Sequence, residues 1–264
     1  MPREYTYGPF PSRRLGLSLG VDVLPKTKTC TFDCVYCEIG NTTHLVSPKF
    51  RINSPPSPKF EKELRNILRY FPHLASITFG YNGEPTLNEN LMEFYDIALK
   101  VRNELNWKGT PPHLTLFTNS STLHFEDIQD RIKNFEIVLA KLDVATQVDY
   151  IRTNRPHNLC PENSKIIDSL IQLRKKMTSN KLVLQCLMLN SHHKEEYYPN
   201  FNEKNIEKLA LAIKKIKPNE VQIYSLARIP AEYFVFSIDE KQNNQIKNVF
   251  NRIIDNKNIE ISYF

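Results

Sequence analysis

Three cysteines fall within eight residues, Cys30, Cys34 and Cys37, in the spacing C-x3-C-x2-C. A compact loop with three thiolates can hold three corners of an iron–sulfur cubane, and a complete 4Fe–4S site takes four. The other two cysteines, Cys160 and Cys186, lie more than 120 residues downstream and in no ligand-like pattern. Three local ligands therefore leave one iron open to a further molecule, as an open zinc site does in catalysis. Zinc held by these thiols and His44 is the alternative, but the paired clips usual for zinc are missing. Cys186, inside the apolar run LVLQCLML, reads as a buried small hydrophobe. Cys160 follows a polar turn and reads as inert.

A second constellation, Tyr81-Asn82-Gly83-Glu84-Pro85, follows the run ASITF. Alone it would be an ordinary glycine turn; beside the cysteines it reads as part of a binding site. Thr118 and Asn119 close the next apolar run, and Asp143 the one after. Amides and carboxylates there can bond hydroxyl and carboxylate groups of a ligand, or make Asx turns and helix caps. Gln185 reads as a satisfied buried amide, and Gln222 and Tyr224 carry weaker claims of the same kind. Arg13, Arg14, Arg152, Arg155 and His157 lie in polar segments. Guanidinium forks suit phosphate or carboxylate, with ion pairs that brace loops as the alternative. His192 and His193 read as facing water.

The elements that must position these residues alternate. Phe60, Leu64, Ile67, Leu68 and Phe71 repeat as one face of a helix that Pro72 stops. Further helices fit 90–103 and 125–132, and apolar faces mark others around 166–177, 206–216 and 246–254. Ser237 and Glu240 fit a capping box ahead of the last. Strands fit 75–79, 113–117, 137–142, 182–189 and 221–224, with a possible edge strand at 259–264. The proline-rich stretch 38–59 forbids a regular helix or a central strand. Nearly continuous apolar strands separated by amphipathic helices predict a parallel sheet covered by helices. Periodicity does not choose between an open sheet, a partial barrel and a closed one. In all of them the site lies at the C-terminal ends of the strands.

Composition sets the class. The chain has 264 residues, 41% hydrophobic and 24% charged, the make-up of a globular protein. No apolar run approaches the ~20 residues that span a bilayer, and no signal peptide is visible after Met1. Clustered, unpaired-looking cysteines predict a reducing, cytoplasmic setting. Thirty-five Lys and Arg against 29 Asp and Glu leave +6, which permits a phosphate-bearing partner without demanding one.

The C-x3-C-x2-C loop, with the aromatic Tyr36 before its third cysteine, resembles the signature of the radical S-adenosylmethionine superfamily. The segments GPFPSRRLGLSLGVDVLP, FGYNGEPTL and 141–156 resemble a subfamily of iron–sulfur oxidoreductases related to wyosine-type tRNA-modifying proteins. The likeness covers roughly residues 7–235. It implies one α/β domain over 1–264, a partial (β/α)6 barrel with its core at about 17–235, followed by a C-terminal helix and edge strand at 237–264. The cluster loop would follow a first strand near Leu17 to Val23. It also implies a 4Fe–4S cluster on Cys30, Cys34 and Cys37 and S-adenosylmethionine on its open iron. The reduced cluster would cleave that cofactor to a 5′-deoxyadenosyl radical that abstracts a substrate hydrogen. Tyr36, Gly83, Glu84, Asn119 and Asp143 would bind the cofactor, Glu84 at its amino group; Asn82 stands where the superfamily has a glycine. A flavodoxin- or ferredoxin-like donor would supply the electron. Kinship and charge suggest tRNA as substrate, but no cysteine precedes Cys30, which argues against wyosine synthase activity itself. A protein substrate, as for glycyl-radical activating enzymes, and a small metabolite are the alternatives. A non-catalytic iron–sulfur or zinc module is the competing class.

Overall fold

The computed structural model describes residues 3–193, 195–255 and 258–264. β1 (Thr6–Ser12) and β2 (Gly16–Val21) form an antiparallel hairpin. In the long loop after β2, β3 (Thr29–Cys30) and β4 (His44–Leu45) form a small two-stranded sheet, and Thr29 also bridges to Gly83. α1 (Pro58–Leu68) then leads to β5 (Ser76–Phe79). The chain continues through α2 (Leu91–Asn103), β6 (His113–Thr118), α3 (Glu126–Ile132) and β7 (Ile137–Lys141). Two helices, α4 (Gln147–Asn154) and α5 (Asn163–Lys176), precede β8 (Lys181–Met188). β9 (Asn190–Ser191), α6 (Glu203–Ile216), β10 (Glu220–Ser225), β11 (Val235–Phe236), α7 (Glu240–Ile253) and β12 (Glu260–Tyr263) complete it. The main sheet runs β1-β2-β5-β6-β7-β8-β10-β12, with every pair after the first hairpin parallel. The six parallel strand–helix units match the sequence rhythm, and they curl into the partial (β/α)6 barrel that the resemblance implies. β1 and β12 are added at its two edges.

Burial is nearly continuous along the barrel strands, and side-chain character distinguishes their two faces. Leu19, Ile77, Leu116, Val138, Leu184 and Ile223 join one apolar core with the helices. Fully burying each such side chain contributes about 1.5–3 kcal/mol. Their neighbours Ser18, Thr78, Thr115, Lys141, Gln185 and Gln222 alternate with them and so face the barrel interior. β2, β5 and β10 are thus two-faced, β7 and β8 keep the nearly continuous apolar run that the sequence predicts, and polar side chains enter the lumen.

Several elements differ from the sequence reading. β1 carries Pro9 and Pro11, which argue against a strand, yet at a sheet edge a missing N–H donor is tolerated. The first barrel strand starts at Gly16 and ends at Val21, one turn short of Val23, because Asp22 Oδ1 accepts from Leu24 N at 3.1 Å and turns the chain. The capping box is Asp239 with Gln242, not Ser237 with Glu240: Asp239 Oδ1 accepts from Gln242 N at 2.7 Å, and Gln242 Oε1 accepts from Asp239 N at 2.9 Å. α4 shows no apolar stripe because it buries Asp149, Tyr150, Thr153 and Asn154. Among the described residues no helix is long and apolar enough to cross a membrane.

The hairpin seals one wall of the lumen. Tyr7 pairs with Gly20 across it, donates from its hydroxyl to Gly80 O and packs on Tyr81 at 4.4 Å. A Cβ on Gly20 would stand 2.0 Å from Tyr7 Cζ, so the ring fits only over glycine. Gly20→Ala should cost about 1–3 kcal/mol by chemical denaturation. In a Tyr7→Ala background the same change should cost almost nothing, and an undiminished cost there would put the strain elsewhere. The neighbouring Asp22 is pushed up to about 6 by burial, from 3.8. A carboxylate with a raised native pKa favours the fold below its unfolded value, and that stability is lost as pH rises through the native one. Wild type should therefore lose about 1–2 kcal/mol relative to Asp22→Asn between about pH 3.8 and pH 6, allowing for solvent screening. Parallel stability–pH curves for the two proteins would contradict this.

Candidate cluster and cofactor site

The cysteine loop is zippered to the loop that follows β5. Thr29 N donates to Asn82 O at 3.0 Å, and Glu84 N donates to Thr29 O at 3.1 Å. Asn82 Nδ2 donates to Pro25 O and Lys26 O, both at 2.7 Å. Gly83 has φ +136°, and a Cβ there would lie 1.7 Å from Thr29 O. Only glycine allows two backbones to pass this close. Asn82, which departs from the superfamily glycine, is the clamp that holds the entry to the cysteine loop.

Each cluster cysteine has its own nitrogen donor. Asn119 Nδ2 donates to Cys30 Sγ at 3.4 Å, Asn154 Nδ2 to Cys34 Sγ at 3.5 Å, and Lys28 Nζ to Cys37 Sγ at 3.1 Å. Lys28 also donates to Gly40 O. Burial pushes the thiols of Cys30 and Cys34 up to about 12, so they ionise readily only beside a positive group such as a metal. The loop rests on the C-terminal end of α4: Asp33 N donates to Asn154 O and Val35 N to Thr153 O, each at 3.1 Å. Arg155 ends that helix in the left-handed region, at φ +43°. His44 is exposed on β4. Among the described residues no group of three or more His, Cys, Asp and Glu side chains is drawn together tightly enough to hold a single ion, the three cysteines included.

Glu84 is buried under the loop. Its Oε1 accepts from Thr86 N at 3.2 Å, Thr86 Oγ1 at 2.6 Å and Thr118 Oγ1 at 2.9 Å, while among the described residues Oε2 accepts only from Asn119 N, at 2.6 Å. Burial raises its pKa despite these bonds. Asn119 links the two halves, since its side chain also donates to Thr31 Oγ1 at 2.8 Å.

Asp143 is a hub beside them. Oδ1 accepts from Leu187 N at 2.8 Å and lies 2.7 Å from Lys141 Nζ; Oδ2 accepts from Tyr36 Oη and from Asn154 Nδ2, the latter at 3.2 Å. Lys141 in turn donates to Tyr224 Oη at 2.6 Å. Tyr36, Glu84, Asn119 and Asp143 are thus brought together around the cysteines, with Gly83 as the contact that docks the loop. Lys28, Lys141 and Asn154 join the site without having been singled out, and Asn82, noted only as a departure from a glycine, joins it as a clamp. Only the position of Lys28 and Asn82, next to motif residues, hinted at a role.

The remaining candidates are structural. Gln185 Nε2 donates to Gln222 Oε1 at 2.9 Å, and Gln222 to Glu220 at 2.8 Å, so both amides are satisfied. Cys186 lies in the core, and burial pushes its thiol up. Cys160 is half-buried, its Sγ 3.5 Å from Thr31 O. Arg152 pairs with Asp149 and Arg155 with Glu232, while His157 Nδ1 accepts from Leu159 N at 3.1 Å. His192 and His193 are exposed, but each packs on an aromatic ring, Phe236 at 4.3 Å and Phe234 at 5.2 Å.

No protein-family model matches the chain. It is 29% identical over 255 residues to the UPF0026 protein MJ1312 of Methanocaldococcus jannaschii, covering 97% of this chain and 74% of that protein. Among solved structures it superposes on Streptococcus suis SuiB bound to S-adenosylmethionine with a TM-score of 0.59 at 12% identity, over 92% of this chain. It spans only half, 50%, of the SuiB chain. TYW1 with a lysine–pyruvate adduct bound gives a TM-score of 0.57 at 14% identity, over 89% of this chain and 73% of that one. With its three-cysteine loop following the first of six parallel barrel strands, this chain has the radical S-adenosylmethionine fold.

Proposed function

We propose that the chain is a radical S-adenosylmethionine enzyme whose Cys30, Cys34 and Cys37 hold a 4Fe–4S cluster. The observation that carries this reading is the donor set: three thiols in one loop, each met by a separate N–H donor, the environment that stabilises thiolate sulfur on iron. When bound and reduced, the cluster and S-adenosylmethionine supply a 5′-deoxyadenosyl radical for hydrogen abstraction.

The chain's own residues bind and orient. Glu84 Oε2 has acceptor capacity left beyond the Asn119 N–H, and a buried carboxylate gains most from a cationic partner. It receives the cofactor's ammonium. Asn119 reaches from Glu84 to Cys30 and registers cofactor against cluster. Asp143 has its oxygens engaged by four donors, so it acts by fixing Tyr36 and Lys141 around the cofactor. Gly83 contributes through the loop it docks. The large apolar core that runs from Leu19 to Ile259, with a smaller cluster around Val35 and Phe234, supports reading 1–264 as one domain. The five free thiols suit a reducing cytoplasm. An external flavodoxin- or ferredoxin-like protein provides the electron. For a tRNA substrate, suggested by kinship and net charge, the arginines still available are Arg13 and Arg14, because Arg152 and Arg155 are spent on carboxylates of this chain.

Anaerobic reconstitution tests the reading. Wild type should bind about four iron and four sulfide. Alanine at Cys30, Cys34 or Cys37 should lose most of the iron, and alanine at Cys160 or Cys186 should keep it. One zinc and no sulfide would overturn the proposal. Glu84→Gln should keep the iron yet bind S-adenosylmethionine at least tenfold more weakly, read from the perturbation of the reduced cluster's paramagnetic resonance. Lys28→Met should lower the cluster's midpoint potential, because the ammonium at Cys37 favours the more negative, reduced state. An unchanged potential would leave Lys28 a loop brace.

A further inference from the structure

The turn between β1 and β2 carries a guanidinium to the far end of the strand arc. Arg14 Cζ lies 4.0 Å from the centre of the Tyr224 ring on β10, although β2 and β10 are the first and last of the six barrel strands. The turn that holds it is fixed: Ser12 Oγ accepts from Arg14 N at 3.3 Å and from Leu15 N at 3.2 Å. Tyr224 alternates with the core residue Ile223 and therefore faces the lumen. Lys141 Nζ lies 4.8 Å from the same ring.

The two cations differ in their partners. Lys141 is neutralised by Asp143 and bonded to Tyr224. Among the described residues the Arg14 guanidinium forms no hydrogen bond and no ion pair, and its Nε is sealed from solvent without an acceptor. Glu38, the carboxylate that acts on it, is paired with Arg228 at 3.2 Å. Every other arginine that is not exposed bonds a carboxylate or carbonyl, Arg51, Arg102 and Arg174 among them. Burial lowers the Arg14 pKa, the mark of a cation that has lost water without gaining a counter-ion.

We propose that Arg14 is the anion receptor of the lumen: braced on Tyr224, its guanidinium fork takes a carboxylate or phosphate oxyanion of the substrate. A planar fork offers two parallel N–H donors to such a group. The assignment to substrate rests on the reading of this barrel as a radical enzyme. Two sources could present the oxyanion, the substrate or the methionine carboxylate of the cofactor, and the experiment separates them.

Inorganic phosphate and acetate are titrated calorimetrically into cluster-loaded protein with S-adenosylmethionine bound, and into the apoprotein. Wild type should bind at least one of the two anions in both forms. Arg14→Gln should bind it at least tenfold more weakly, and Arg14→Lys, which keeps charge but loses the fork, should fall between. S-adenosylmethionine affinity should be the same in all three proteins. Equal anion binding by Arg14→Gln, or none by wild type, overturns the proposal. So does a loss of S-adenosylmethionine affinity in the variants, which would make the oxyanion the cofactor's own. Binding of tRNA without either small anion would place the contact on the outer surface and overturn it as well. Failure of the cluster to assemble would sink the radical-enzyme reading, while the apoprotein titration would still decide whether Arg14 holds an anion. Should Arg14→Gln not fold, Arg14→Lys carries the comparison.

Discussion

The close passage of Gly83 beneath Thr29 is the contact on which the site depends. With Thr29 O 1.7 Å from where a Cβ would be, the two loops share a short stretch of parallel bridge. Cys30 follows directly from that bridge and Glu84 follows from its other side. One backbone contact therefore sets the distance between the thiol and the carboxylate. Asn82 extends the same zipper by holding Pro25 and Lys26. A loop of this length would otherwise carry a large ordering cost, roughly 1–2 kcal/mol for each residue fixed. The clamp offsets part of it with two part-buried hydrogen bonds from one amide.

Behind that contact stands the polarity of the barrel. The helices gather apolar side chains of every strand on one side, which leaves the inner faces free to carry polar groups without loss of core. Those inner groups are not idle. Gln185 and Gln222 satisfy one another, and Asp143, Lys141 and Tyr224 form a chain that ties β7 to β10. Leaving any one unpartnered in so dry a place would cost on the order of 1–3 kcal/mol. A satisfied network of this kind holds side chains in one geometry, which is what a cofactor pocket needs.

The sequence exposed the parts of this arrangement that depend on local pattern. Cysteine spacing marked the candidate cluster loop, and apolar periodicity located the later five barrel strands to within a residue or two and most of the helices by their buried faces. It hid what depends on distant partners. Asn154 reaches Cys34 across 120 positions, and nothing local to α4 announces it, because the helix buries polar groups where a stripe of apolar ones would have shown. Asn82 looked like a departure from a glycine motif, yet its value lies in two carbonyls more than fifty residues away. β1 was masked by its prolines, whose cost vanishes at an edge. Ser237 and Glu240 had the right spacing for a capping box, but so did Asp239 and Gln242 two residues on, and the helix begins where the stronger acceptor stands.

Charge shows the same limit from another side. An excess of six positive groups says little about a partner until each is matched with its neighbours. Arg152 and Arg155 looked as available as Arg14 in the sequence, yet the first two are consumed by Asp149 and Glu232. Arginines paired within the chain contribute little field beyond their own contacts, since an ion pair decays as a dipole and is further screened by salt. What distinguishes Arg14 is that burial has removed its water while the fold supplies a ring instead of a carboxylate. A ring face attracts a cation by about 0.5–2 kcal/mol, less than the several kcal/mol that desolvating an ion costs. The difference is a debt within the folded chain, and an oxyanion seated on the free fork is the kind of partner that would cancel it.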